Sequence, residues 1–446
     1  MAVRGRVIVI GGGLAGLVAS LSALDNPAVH VTLLEALPKL GGASQYATSG
    51  ISLSPAPSDV ASYERDLLAS AGGRGSPALA RVLAASGPAT FAWLAAHGAP
   101  PLPLSVITGG HSAARTWLPF PPSARTVGAE LVGSLSARLR ASPRAEVRTG
   151  ARVAALQRSP LGAVTGVDLE GGGSLVGGAV VVATGGFGGS AELLAAHAPP
   201  LQHLPFTAAA SATGGGHGAC ARAGSRLVDM SAVQLHPTAF LSDADAGAVA
   251  AADTAAAPLR VHLMLAPEAL RGAGALLLDG RGKRFFNELA RRDALAAAVG
   301  ALPGARAALV LTEAAGLCLA GVPFYVSRGL LRRVEGAPGL AAFLRERLPA
   351  GGATAEGVAE ELRAYAAGAA AARSDEFGKA PLKGARAFEG GSLAPLLVGL
   401  VTPAVHYTLG GVAIDEDARV LAAAEGVVPG LFAAGEVTGG VHGASE

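Results

Sequence analysis

The sequence predicts an α/β protein in which one domain is built from both ends of the chain and a second, α+β capping domain is inserted between them. Three observations carry this. A strand–glycine turn–helix–strand unit opens the chain at residues 7–35, and the texture of short strands and glycine turns returns after residue 401. Between about 241 and 389 the sequence is instead Ala-rich and reads as mostly helical. The expected boundaries are 1–240 with 390–446 for the first domain and 241–389 for the second. A chain of 446 residues, half of them hydrophobic, has the length and apolar content for two cores.

The elements follow in order. Residues 7–10 are a strand of Val and Ile, Leu14–Leu24 a helix, and residues 29–34 a second strand ending at Glu35. Residues 54–145 read as helices broken by Gly/Pro loops, and residues 147–156 as one strand. The run of valines at 179–183 lies between glycines and reads as a strand buried on both faces. Residues 208–218 read as a Gly/Ala loop, and 246–258, nearly all Ala and Gly, as a surface insertion. A hairpin is expected at 274–286.

The motif GGGLAG supplies Gly11, Gly13 and Gly16 of a G-x-G-x-x-G turn, with strand before and helix after. Glu35 stands at the end of the second strand, where a carboxylate can accept hydrogen bonds from a ribose. Glycines let the backbone approach a pyrophosphate, and the helix N-terminus stabilises its charge. The fold expected is therefore a Rossmann-like dinucleotide-binding domain, and an acidic Glu35 disfavours a 2′-phosphate. Three later segments favour FAD over a nicotinamide cofactor. LGGASQYATSGI holds a glycine pair and hydroxyl residues able to lie along a flavin; ATGGFGG follows the valine strand; GLFAAGEVTGG places Glu436 to meet a ribitol chain. The cofactor contacts expected are Gly11, Gly13, Ala15, Gly16, Glu35, Ala36, Gly41, Gly42, Ala43, Ser44, Thr48, Ser49, Gly50, Val153, Ala183, Thr184, Gly185, Gly435 and Glu436.

Composition narrows the partners. Net charge is +2 with no basic stripe, so no nucleic-acid partner is implied. Only two cysteines, Cys220 and Cys318, exclude a cysteine-ligated iron–sulfur cluster, and no metal-ligand spacing stands out. No stretch reads as a spanning helix and no cleavable leader is visible. The expectation is a protein without a membrane partner, intracellular, in the cytoplasm or mitochondria.

Together these motifs resemble the soluble, FAD-dependent fumarate reductases of the fumarate reductase/succinate dehydrogenase flavoprotein superfamily. The resemblance runs from Val7 to Gly443. Besides the segments above, it is carried by GGHSAART, LVDMSAVQLHPT, EALRGAGALLLDGRGKRFFNEL and VTPAVHYTLGGVAID. It implies reduction of fumarate to succinate, with hydride from flavin N5 and a proton from an arginine. Carried over by motif, Arg292 is the acid and Glu268 and Arg271 complete its proton relay. His236 and His406 are the two histidines that bind a substrate carboxylate. Arg291, beside Arg292, is the competing candidate. The electron donor implied is reduced flavin or NADH. Another dicarboxylate substrate, as in L-aspartate oxidase, and a catalytically impaired flavoprotein are the alternatives.

The sequence departs from the family pattern in several places. Ala43 stands where membrane-bound relatives attach FAD through histidine, so noncovalent FAD is expected. Pro267 replaces a substrate-holding threonine, Gly215 an acidic residue and Trp117 a basic or histidine position. Where the family has a substrate-clamping arginine followed by a flavin-facing helix, this sequence has Glu446 and ends. The resemblance thus implies a fragment, truncated at its C-terminus.

Overall fold

The computed structural model describes residues 5–106, 108, 110–119, 125–252, 260–317, 319, 321–370, 375–379 and 395–443. The chain divides into two compact units: residues 1–202, 208–234 and 406–446 form one, and 203–207 with 235–405 form the other. The sequence placed the crossings at 240/241 and 389/390. They fall instead inside two strands, Val233–Phe240 and Pro395–Thr408, where no Gly/Pro linker marks them.

In the first unit, six strands lie in the order Arg419–Leu421, Val427–Ala433, Ala179–Val182, Arg6–Ile10, His30–Glu35, Ala145–Thr149. All pairings are parallel except the outermost, between Arg419–Leu421 and Val427–Ala433. Strand Arg6–Ile10 is central because both its faces are apolar. Ile8 and Ile10 pack with Val180, Val182 and Leu431 on one side. Val9 packs with Leu17, Leu21 and Leu135 on the other, under helices Leu14–Leu24 and Val127–Arg140. A continuous Val/Ile run is what a parallel sheet covered on both faces requires.

Four local expectations are corrected. Residues 54–145 are not only helical: strands Leu104–Val106 and Thr116–Leu118 join Ile51–Ser52 in a small antiparallel sheet. The single strand at 147–156 is two, Ala145–Thr149 and Val153–Arg158, because Gly150 (φ +68°) turns the chain between them. The loop at 208–218 ends in a helix, Gly215–Arg222. Residues 246–252 belong to helix Asp243–Ala252, whose Ala246 and Val249 pack on the core; 253–258 lie outside the described residues.

The second unit is built on an antiparallel sheet, where the sequence suggested mainly helices. Its path runs Val233–Phe240, Pro395–Thr408, Ala307–Thr312, Leu276–Leu278, with Arg332–Glu335 also pairing to Pro395–Thr408. Alternate side chains enter two cores. Ala308, Val310 and Val398 pack under helices Gly336–Arg347 and Ala355–Ala370 through Leu340, Leu344, Val358 and Leu362. Leu309, Leu311 and Leu397 pack on the opposite face with Leu295, Val299 and Val322. Among the described residues no single helix is long and apolar enough to cross a membrane. One pair, Pro77–Ala85 and Gly87–Ala96, passes by length and composition only jointly, across a 48° bend.

Candidate functional site

The dinucleotide turn lies in the first unit. Gly11 has φ +109°, and a Cβ there would meet the Ala183 carbonyl oxygen at 2.3 Å. A Cβ on Gly16 would lie 1.8 Å from the Gly11 oxygen, so helix Leu14–Leu24 packs on the strand end only with glycine there. Gly13 differs. Its φ is an ordinary −74°, and an added Cβ would meet only Ser44 Oγ at 3.6 Å and the Gly41 oxygen at 3.9 Å. The space Gly13 leaves open is the space a phosphate needs. Gly13 also caps the helix without a side-chain hydrogen bond, and Ser44 Oγ accepts from the Leu14 amide at 3.1 Å. With Leu14 capped by Ser44, the amides that follow it in the first turn are the ones that can meet an anion. This cradle fits the pyrophosphate of a dinucleotide.

Glu35 is buried at the end of its strand. Its Oε2 accepts from the Gly12 amide at 2.7 Å and its Oε1 from the Leu37 amide at 2.8 Å. These bonds fix the carboxylate and leave lone pairs for ribose hydroxyls. Ala36 follows Glu35 directly, and the Glu35 carbonyl accepts from Ala151, two residues before Val153. Gly41, Gly42, Ala43 and Ser44 begin the 3₁₀ segment beside the turn. Thr48, Ser49 and Gly50 lead from it into strand Ile51–Ser52, and Gly50 is dictated by the Trp117 carbonyl, 2.6 Å from where its Cβ would be. Ala183, Thr184 and Gly185 continue from the strand beside the turn. The Ala434 amide donates to the Val182 oxygen at 3.0 Å, and a Cβ on Gly435 would lie 2.7 Å from that of Ala15. Segments more than 400 residues apart therefore converge on the first helical turn. Glu436 Oε1 accepts from the Thr408 amide at 3.0 Å, which sets the His406–Thr408 segment against the Glu436 turn. His442 lines a cavity of about 470 Å³ with Tyr407, Glu436, Leu79 and Val441.

His217 is buried in the same unit, edge-on to Phe187 with ring centres 5.2 Å apart. Burial pushes its pKa down to about 4, against the pull of the Gly214 backbone, so it is neutral at pH 7.

The arginine cluster lies in the second unit. Glu268 and Arg271 occupy the short helix Glu268–Gly272, and Arg292 opens helix Arg292–Gly300. Arg292 Nη2 is 3.5 Å from Glu268 Oε2. Arg271 is 1% exposed, and its Nη1 donates to the Glu288 carbonyl at 2.6 Å. Its Nε and Nη2 have no hydrogen-bond partner among the described residues. Burial pushes the Arg271 pKa down to about 10, with Glu268 and Glu288 pulling it up and Arg292 adding to the fall. A charged guanidinium with two buried, unsatisfied donors is a strong carboxylate-binding element. Arg291 is different: it is 44% exposed and paired with Asp293 at 2.8 Å on the surface. His236 lies in the same unit as the cluster. Its Nδ1 is 3.0 Å from the Thr238 carbonyl oxygen, and Thr238 Oγ1 donates to the Ala266 carbonyl at 2.9 Å, two residues before Glu268. The structure thus brings Glu268, Arg271 and Arg292 together, with the His236 strand tied to the approach. His406 belongs to the other unit.

Sequence reasoning missed the charges behind Arg271. Glu288, 0% exposed, is bound bidentately by Arg284 at 2.8 and 2.7 Å and approached by Lys379 Nζ at 3.1 Å. Arg284 also holds Asp375 at 2.5 Å and lies over the rings of Tyr365 and Phe377. Burial alone would raise the Glu288 pKa; the Arg284 hydrogen bonds and the Lys379 charge outweigh it and hold it below the usual carboxylate range. Acid and base side by side in GKRFFNEL was the available signal.

A glycine cradle closed by an acidic strand end, together with a buried cationic cluster, defines a dinucleotide-dependent oxidoreductase of the FAD type. The FAD binding domain family matches residues 6–446, and the chain belongs to it, alongside FAD-dependent fumarate reductases. Fumarate reductase of Schizosaccharomyces pombe is 33% identical over 98% of this chain and 84% of its own length. L-aspartate oxidase of Caulobacter vibrioides is 32% identical over 98% of this chain and 71% of its own. The open conformation of a flavocytochrome c3 fumarate reductase superposes with TM-score 0.76 at 26% identity, over 99% of this chain and 74% of that one. FAD is the cofactor. Gly11, Gly13, Gly16 and Glu35 would hold its pyrophosphate and ribose.

Proposed function

We propose that this chain reduces fumarate to succinate with noncovalently bound FAD. The observation that supports this best is the Glu268–Arg292 pair beside Arg271, two of whose buried donors have no partner among the described residues. The bound cofactor supplies hydride chemistry. The chain's own groups supply the rest. Arg292, protonated at any working pH, donates a proton to the alkene carbon that does not receive hydride. A proton drawn from water then passes by way of Arg271 and the Glu268 carboxylate, 3.5 Å from Arg292, and restores the Arg292 guanidinium. The Arg271 Nε–H and Nη2–H are suited to a substrate carboxylate, whose charge grows toward the enolate-like transition state. His236 and His406 are carried over as hydrogen-bond donors to the second carboxylate. Reduced flavin or NADH is the proposed electron source.

The test is fumarate-dependent oxidation of a reduced flavin by FAD-loaded protein. Arg292→Ala should lower turnover by about 10²–10⁴ while FAD stays bound. Turnover close to the parent's would refute the acid assignment. Acid precipitation should release all yellow colour; a yellow pellet would overturn noncovalent binding. A second reading, oxidation of L-aspartate, draws on the similarity to L-aspartate oxidase. Peroxide formation with L-aspartate and no turnover with fumarate would favour it.

A further inference from the structure

We propose that the second unit carries another anion site, sharing no residue with the Arg271 cluster, that takes a small, doubly charged oxyanion: a dicarboxylate or a phosphate group. The site is a cavity of about 280 Å³ into which Arg328, Arg332 and Arg347 all contribute. Leu330 and Gly399 form apolar wall, and Asp243 is the single acid among the lining residues.

Three features point to a ligand. First, the Asp243 carboxylate is held between two guanidiniums. Arg332 Nη2 binds its Oδ2 at 2.7 Å, and Arg347 Nη1 binds its Oδ1. That is the way two arginine forks hold a carboxylate or phosphate group, so the chain's own side chain marks where a free oxyanion would sit. Second, the charges do not balance. Three arginines line the cavity with one carboxylate; Glu346, 3.7 Å from Arg332 Nη1, offsets part of the excess, and Arg328 has no ion pair among the described residues. Third, the two ends of the Asp243 pairs differ in solvent access. The Arg347 side chain is only 12% exposed and lies against the Phe343 ring, whereas that of Asp243 is 64% exposed. Burial works against the charge of Arg347 and lowers its pKa. A guanidinium fixed in that place gains from a strong anion, while Asp243 can swing into water with little loss. A dianion engages all three arginines, which one aspartate cannot do. The inference rests on this cavity and stands apart from the flavin chemistry proposed above.

The experiment is calorimetric titration of FAD-loaded protein with inorganic phosphate, and separately with succinate. Saturable phosphate binding, or a second equivalent of succinate beyond the one at Arg271, is expected and tells the two sources apart. Asp243→Asn removes the resident competitor and should tighten binding by about fivefold. Arg347→Met keeps the aliphatic packing on Phe343 and should weaken it by at least about tenfold. Arg328→Ala, at an exposed position where folding is not at stake, should weaken it by about fivefold. Neither ligand binding at this site, or binding indifferent to all three substitutions, would overturn the proposal.

Discussion

The two units meet negative charge in opposite ways. The first does it by leaving side chains out: Gly13 opens a space, and backbone N–H groups at a helix N-terminus face it. The second does it by burying side chains: Arg271 is buried, with one nitrogen on a carbonyl and two donors unsatisfied among the described residues. A backbone cradle carries only partial charges and needs no counter-ion to fold. A buried guanidinium needs a fixed scaffold, and the Glu288 carbonyl that Arg271 binds is held by an ion-pair network of two carboxylates and two cations: Glu288, Asp375, Arg284 and Lys379. The cradle should therefore tolerate loss of its ligand, whereas the cluster should fail when its scaffold is neutralised.

The largest effect expected is on that scaffold. Glu288→Gln leaves Arg284 and Lys379 facing a neutral amide, which should cost about 3–5 kcal/mol of stability in urea unfolding. A loss under 1 kcal/mol would mean the second unit does not depend on the network. Arg271→Met, which removes the donors and keeps the volume, should lower fumarate turnover by about 10²–10³ with little change in melting temperature. If turnover is unchanged, Arg271 does not touch substrate.

In the cradle the glycines should separate. Gly13→Val should leave unfolding within about 1 kcal/mol of the parent yet yield protein purifying with little flavin absorbance. FAD content equal to the parent's would show that the pyrophosphate lies elsewhere. His217 gives the first unit an acid sensitivity of its own. Its folded-state pKa, about 4, lies below the ordinary 6.5, so between these values the unfolded chain binds a proton that the folded chain does not. Its contribution is complete above pH 6.5 and shrinks as pH falls toward 4, by up to about 3 kcal/mol. His217→Gln should flatten the stability profile across that window; an unaltered slope would assign the acid sensitivity to other groups. The smallest effect belongs to Arg291→Ala, on an exposed pair, expected within about 0.5 kcal/mol in stability and neutral in turnover.

Much of the first unit was readable along the chain because its determinants are local. Helix Leu14–Leu24 and the strands around it follow from an apolar run, three spaced glycines and one acid. The second unit was not. Strand Ala307–Thr312 reads equally as a buried helix turn until its neighbours Leu276–Leu278 and Pro395–Thr408 split its alternate residues between two cores. Arg292 and Arg291 are chemically identical neighbours, and only packing turns one toward Glu268 and the other to the surface. Lys379 reaches Glu288 from 91 positions away, beyond any local pattern.

The sequence by itself determined the cofactor cradle, because a phosphate approached by backbone demands glycine at fixed spacing, whatever the rest of the chain does. It also supplied the identity of the arginines and the glutamate, through motif. Only the tertiary structure decided which charges are buried, which are paired and which keep open donors. Those properties depend on desolvation and on partners from distant segments, and neither exists until the chain has folded.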